Sequence, residues 1–210
     1  IAGRTSGILT ATITTGAVTS TLAAITNVDA NDVITFTTND TSVDASDLVA
    51  LALKVDTLGV NSVTTITEAY NTENVATVVT NALNITGNTE LVSITGGSIL
   101  ATDVNTILGA TSGNVTAIVT ADTAAALNTA LTNATTGTDA LTLTINDTTL
   151  TSVSDLLALD GKTNVAVNAS SVNSITDTYT NLNLAYNAGI AGTISGLGNE
   201  AVTISDTTSA

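Results

Sequence analysis

The chain has 210 residues, 43% of them apolar, and carries 18 acidic against 3 basic side chains (Arg4, Lys54 and Lys162), a net charge of −15. It contains no His, Cys, Met, Trp or Pro. That excludes disulfides, zinc–thiolate sites, thiol nucleophiles and the usual neutral-pH general base, and three cations cannot build the basic face that a nucleic-acid binder needs. The apolar residues are almost all Ala, Val, Ile and Leu, with one Phe and three Tyr. Such a composition predicts a thin core of small side chains repeated along an axis.

Repetition is visible directly. Asp32-Val-Ile-Thr-Phe36, Glu90-Leu-Val-Ser-Ile94, Asp139-Ala-Leu-Thr-Leu143 and Glu200-Ala-Val-Thr-Ile204 each place an acidic residue just ahead of a β-prone run. Between them, Ile1-Ala-Gly-Arg-Thr5-Ser-Gly7 matches Ile107-Leu-Gly-Ala-Thr111-Ser-Gly113, with shorter versions at Leu159-Asp-Gly-Lys-Thr163 and Thr57-Leu-Gly59. Thr5, Thr57, Thr111 and Thr163 are separated by 52, 54 and 52 residues. The expectation is one array over 1–210, of about four units (1–56, 57–110, 111–162 and 163–210).

In chain order, a Thr-rich helical slot falls near 17–25 and the first strand follows Asp32. A short helix fits Asp44 to Leu53, and a second slot lies near 67–83. After the Glu90 strand come a helix from Thr102 to Leu108 and an Ala-rich one over 122–132, with Asp122 in its first turn. Leu141-Thr-Leu-Thr-Ile145 alternates as a half-buried strand does, and Asn146-Asp147 is turn chemistry. Ser152 or Ser154 then predicts an N-cap, with Leu156, Leu157 and Leu159 facing inward and Gly161 ending the helix in the left-handed region. Val165-Ala-Val167 starts another strand that Val172 and Ile175 continue. A helix over about 178–187 carries Leu182, Leu184 and Tyr186, and Gly189 to Asn199 loops back to the last acidic anchor. Alternating strands and helices predict parallel pairing through crossovers. The fold class expected is therefore α/β, a tandem-repeat solenoid of parallel strands with short crossover helices. The alternative is an all-β solenoid in which those helices are turns.

The residues that invite a functional reading are few. Stacked units would bring Asp32, Glu90, Asp139 and Glu200 into a column, and oxygen ligands of that kind suit calcium. No calcium-loop pattern accompanies them, and the bland reading has each carboxylate capping a turn. Asn-x-Ser/Thr triplets start at Asn39, Asn84, Asn114, Asn133, Asn146 and Asn168, as expected by chance in a chain so rich in Asn and Thr. Thr-x-Thr alternation at Thr10-Ala-Thr12, Thr35-Phe-Thr37 and Thr142-Leu-Thr144 reads first as strand solvent faces and otherwise as a hydroxyl array of the ice-binding kind. A Ser nucleophile would have only Lys54 or Lys162 as base, both in turns. Asp44 and Asp47 sit at cap positions, and Gly161-Lys-Thr163 lacks the upstream glycines of a phosphate loop. No catalytic, cofactor-binding or metal residue is assigned, and the chain reads as a non-enzyme. Calcium is the one ion considered.

Gly189-Ile-Ala-Gly-Thr-Ile-Ser-Gly-Leu-Gly-Asn-Glu-Ala-Val-Thr-Ile-Ser-Asp-Thr-Thr208, Leu156-Leu-Ala-Leu-Asp-Gly-Lys-Thr163 and Val167-Asn-Ala-Ser-Ser-Val-Asn-Ser-Ile-Thr176 resemble a repeat of giant bacterial, cyanobacterial-type, extracellular and cell-surface proteins. The resemblance implies an extracellular structural or adhesive array and brings no catalytic residues with it. The first residues enter, and the last leave, partway through a repeat. That predicts a piece of a longer array or subunits joined head to tail, so the expected partner is a further copy of the chain. Neither nucleic acid nor membrane insertion is expected. The function expected is an extracellular filament, surface-layer or adhesin-stalk component. The alternative is a calcium-dependent adhesion module.

Overall fold

In the computed structural model the described residues are all but 1, 5, 30, 71–73, 136 and 207–210. The anchor Thr5 and every residue after Asp206 therefore lie outside the described residues. Two compact units are present, one of 1–96 with 110–113, the other of 97–109 with 114–210. Each is a mixed α/β unit whose strands pair in parallel.

In the first unit a 3-10 turn (Ala2–Arg4) precedes β1 (Thr10–Gly16), α1 (Val18–Ala24), β2 (Val33–Thr38), β3 (Ser42–Asp44), α2 (Ala45–Ala52), β4 (Thr57–Gly59), β5 (Thr65–Ala69) and α3 (Val75–Thr86). β6 (Leu91–Ile99) runs through the division between the units at Gly96. One sheet has the order β1–β2–β4, with Thr12 opposite Thr35 and Thr35 opposite Thr57. The other pairs β5 with β3 and with β6, Thr67 lying opposite both Asp44 and Ser93.

The second unit contains α4 (Ala101–Ala110, its last residue excepted), β7 (Val115–Val119), α5 (Ala124–Ala130), β8 (Ala140–Thr142) and β9 (Thr149–Leu150). These are followed by α6 (Val153–Asp160), β10 (Val167–Asn168), β11 (Ser174–Asp177), α7 (Tyr179–Ala191), β12 (Ile194–Ser195) and β13 (Ala201–Ile204). β7 pairs β8, β10 pairs β12, and β11 lies between β9 and β13. The two-residue strands are too short to stand alone; each exists because a parallel partner presents its main chain.

The core follows from the two periodicities. In β7, Val115, Ala117 and Val119 are buried while Thr116 and Ile118 face out, the alternation of a sheet with one covered face. In α3 the buried residues are Val75, Ala76, Val79, Ala82 and Leu83, one stripe at helical spacing. Phe36, the only Phe, is fully buried with Ile34 beside it on β2. Among the described residues no buried side-chain nitrogen or oxygen lacks a hydrogen-bond partner.

Most expected helices are found, with shifted ends. The slot at 67–83 is corrected: its first residues belong to β5, and α3 starts only at Val75 after the Asn74 cap. The strand drawn from Val165 through Ile175 is two strands, β10 and β11, because Val172 N–H turns back to the Ala169 carbonyl between them. Gly161 is also corrected. It has φ −74°, because α6 closes with a tight turn from Lys162 N–H to the Leu159 carbonyl that needs no left-handed residue. Left-handed glycines do end α3 and α7, at Gly87 (φ 112°) and Gly192 (φ 82°).

Candidate functional site

Helix starts expose main-chain N–H groups that need acceptors. Asn74, Thr123 and Thr178 provide them locally for α3, α5 and α7, accepting from Thr77, Ala126 and Asn181 N–H. Asp44 does so for α2. The residues before α1 and α6, Ala17 and Ser152, make no side-chain cap. Their first N–H groups go instead to carboxylates far ahead in the chain. Val18 N–H donates to Asp40 Oδ2 at 2.7 Å and Val153 N–H to Asp177 Oδ2 at 2.9 Å.

The same device recurs where a local cap already exists. Ser46 N–H donates to Glu68 (3.0 Å), Ala124 N–H to Asp147 (2.7 Å) and Tyr179 N–H to Asp206 (2.7 Å). A second series serves strand starts. Leu9 donates to Asp32, Ile34 to Asp56 and Val115 to Asp139, each at 2.8 Å, and Leu141 N–H uses the Thr163 hydroxyl at 3.0 Å. In all nine contacts the acceptor lies between 22 and 27 residues after the donor.

Asp177 shows the electrostatics best. Its Oδ2 takes the first N–H of α6, and its Oδ1 takes Thr178 N–H (2.7 Å) and Asn181 Nδ2 (3.0 Å) at the start of α7. One carboxylate thus lies between the positive ends of two helix dipoles. Desolvation acts to raise its pKa, but the hydrogen bonds from Thr178, Val153 and Asn181 outweigh it and hold the carboxyl below the usual range. Glu200 is tied differently: Gly198 and Asn199 N–H donate to Oε2, and the Tyr186 hydroxyl donates to Oε1. Burial pushes the Tyr186 phenol up, and the Glu200 hydrogen bond and charge add to it, bringing it to about 12. Desolvation of Glu200 is outweighed by Tyr186 and the two amides, so its carboxyl is held low. Beside this pair opens a cleft of about 440 Å³ lined by Ile190, Ile194, Leu197 and glycines.

The four sequence anchors therefore divide. Asp32 and Asp139 are buried and reach back to an earlier strand, whereas Glu90 is buried on Thr89 N–H (2.9 Å) and Glu200 holds its own loop. The reading of solvent turn caps is corrected for the first three, since buried carboxylates need main-chain donors in place of water. Asp44 accepts from Asp47 N–H (3.2 Å) as its cap position predicts. Lys162 lies in the turn that closes α6, half-buried, with its ammonium donating to the Leu131 carbonyl at 2.8 Å. Asn39, Asn84, Asn114, Asn133 and Asn146 are exposed and Asn168 half-buried. Of the threonine pairs, Thr10, Thr12, Thr37 and Thr142 are exposed. Among the described residues no three acidic side chains gather as metal ligands, and no helix is long and apolar enough to cross a membrane.

Sequence reasoning passed over Asp40, Asp56, Asp177 and Asp206 and read Asp147 as turn chemistry alone. The signal was a dipeptide: Asp-Thr occurs at 40, 56, 122, 147, 177 and 206, and five of those six carboxylates make the remote contact. No protein family, curated protein or solved structure matches the chain.

Proposed function

We propose that this chain is a structural repeat array, a solenoid of parallel strands and short crossover helices, serving outside the cell as a filament, surface-layer or adhesin-stalk component. The observation that supports this reading is the set of nine contacts in which a side chain reaches a main-chain N–H 22 to 27 residues earlier. Eight of the nine commit an acidic residue, and the ninth Thr163, to joining one segment to the one before, which is the work of a stacked scaffold. The composition, with no oxidation-prone Cys or Met, and the likeness of Leu156–Thr163 and Gly189–Thr208 to bacterial cell-surface repeats point the same way. On this reading the stacking step is half the 50-odd residue period of the anchors.

Copies add head to tail through the edge of β13, whose four residues are all exposed and include Val202 and Ile204. Small-angle scattering tests the architecture. A solenoid gives a radius of gyration well above the roughly 17 Å of a compact 210-residue globule, and a value near 17 Å refutes it. Sedimentation across a concentration series tests assembly, a monomer throughout being the contrary result. Melting with calcium and with chelator separates the adhesion-module alternative: a large calcium-dependent shift would favour it.

A further inference from the structure

We propose that the surface of a further copy that docks on β13 is its β1 edge, together with the acid-free segment around it, residues 1–28. This rests on the head-to-tail reading and names the partner surface which that reading leaves open. β1 and β13 are both edge strands, β1 with only β2 beside it and β13 with only β11. Parallel pairing sets residues opposite one another, so core rows cross each sheet and stop at these edges. Ala11 and Ile13 lie opposite the buried Ile34 and Phe36 yet are only half-buried. Val202 lies opposite the buried Ile175 and is 49% exposed. Each row ends for want of a neighbour. Beside β1 a cleft of about 190 Å³ is lined by Leu9, Ala11, Ile13, Ile25 and Val28. Beside β12 lies the larger one bounded by Ile190, Ile194 and Leu197.

Direction and charge select β1 over a second β13. β2 follows β1 in the chain and β13 follows β11, so the two free edges face opposite ways along the order of segments. A β1 edge laid on β13 therefore continues the parallel pairing. Two β13 edges related by a two-fold axis run antiparallel instead and bring Glu200 of each copy toward Asp206 of the other, like charges that destabilise the pair. All 18 acidic residues lie within 29–210, and Arg4 is the only charged side chain of 1–28. The acids that reach this segment from later ones, Asp32, Asp40 and Asp47, are occupied by Leu9 N–H, Val18 N–H and the Thr19 hydroxyl. The main chain is ready on both sides. The Leu9 carbonyl accepts from Val33 N–H, so the alternate residues Thr10, Thr12 and Thr14 turn their N–H groups to the free edge. Ala201 N–H donates to the Asn173 carbonyl, which leaves Val202 and Ile204 facing outward in the same way.

Sedimentation of the whole chain as wild type, Thr12→Pro and Val202→Pro is the test. Each proline removes one outward N–H from an edge strand and leaves the inner ladder in place. Wild type is expected to gain mass with concentration, and each variant alone to associate at least about tenfold more weakly. Mixed in equal amounts, the two variants should form a 1:1 dimer, because the first keeps its β13 edge and the second its β1 edge. A Thr12→Pro chain that assembles as wild type does overturns the proposal and leaves assembly through β13 standing. A mixture no heavier than its components overturns it too. A wild type that stays monomeric overturns the head-to-tail reading itself, and the β1 assignment with it. Circular dichroism checks that the variants fold; where a proline variant does not, Thr12→Glu takes the first role and Ile204→Pro the second.

Discussion

The starts of α3 and α6 solve one problem in opposite ways. α3 brings its own cap, Asn74, three residues before the N–H it accepts, and finishes on a left-handed Gly87. α6 has Ser152 at the equivalent place, but its hydroxyl turns to Ser154 and the cap comes from Asp177, 24 residues on. The first helix start is specified locally. The second exists only when the following strand and helix are in place. The difference teaches that cooperativity here is carried by polar contacts as well as by the apolar core.

Removing the remote cap should cost most. Asp177→Ala leaves Val153 and Thr178 N–H without their acceptor, and a loss of about 2 kcal/mol is expected, the upper range for a cap. The check is denaturant unfolding together with amide exchange, which should lose protection at both Val153 and Thr178. Asn74→Ala should cost about 1 kcal/mol and change exchange only around Thr77. If the two variants prove equal in size and in spread, the contrast between local and remote capping fails.

pH sharpens the contrast further. Asp177 is lower in the folded than in the unfolded chain, so its stabilisation is complete above the ordinary carboxylate pKa and is lost as pH falls through the folded value. The stability gap between wild type and Asp177→Asn should close in acid, while that between wild type and Asn74→Ala stays constant. At the alkaline end the sign reverses. Tyr186 is raised to about 12, so what it contributes is complete below about pH 10 and is lost as pH rises toward 12. Tyr186→Phe should therefore converge on wild type across that interval. The smallest effect belongs to Ser152→Ala, within about 0.5 kcal/mol, because Ser152 caps no N–H.

What could be read in the sequence was whatever is local. The alternation in Val33–Phe36 and Leu141–Leu143, the apolar stripe of α6 and the Asp44 cap all follow from neighbours within one turn or one strand. β9, β10 and β12, two residues each, carry no pattern of their own and arise from partners about 25 residues away. Gly161 was misjudged because a short-range turn ended α6 before a left-handed residue was required. The acidic anchors drew attention to Asp32 and Asp139, but the wider set needed knowledge of which N–H stood one segment back. Asp-Thr recurrence marked the positions without revealing their donors.

The lodging of carboxylates against main-chain amides has a consequence for brine. A protein that balances its acids with surface lysines and arginines loses that balance as salt screens it. Here at least eight of the 18 acidic groups are answered by the peptide backbone at contact distance, where dissolved ions do not intervene. The acids left over repel one another, and screening weakens only that repulsion. Rising salinity is therefore expected to relieve that repulsion while costing the chain little of what holds it, and melting in a sodium chloride series should show the Tm rising with salt.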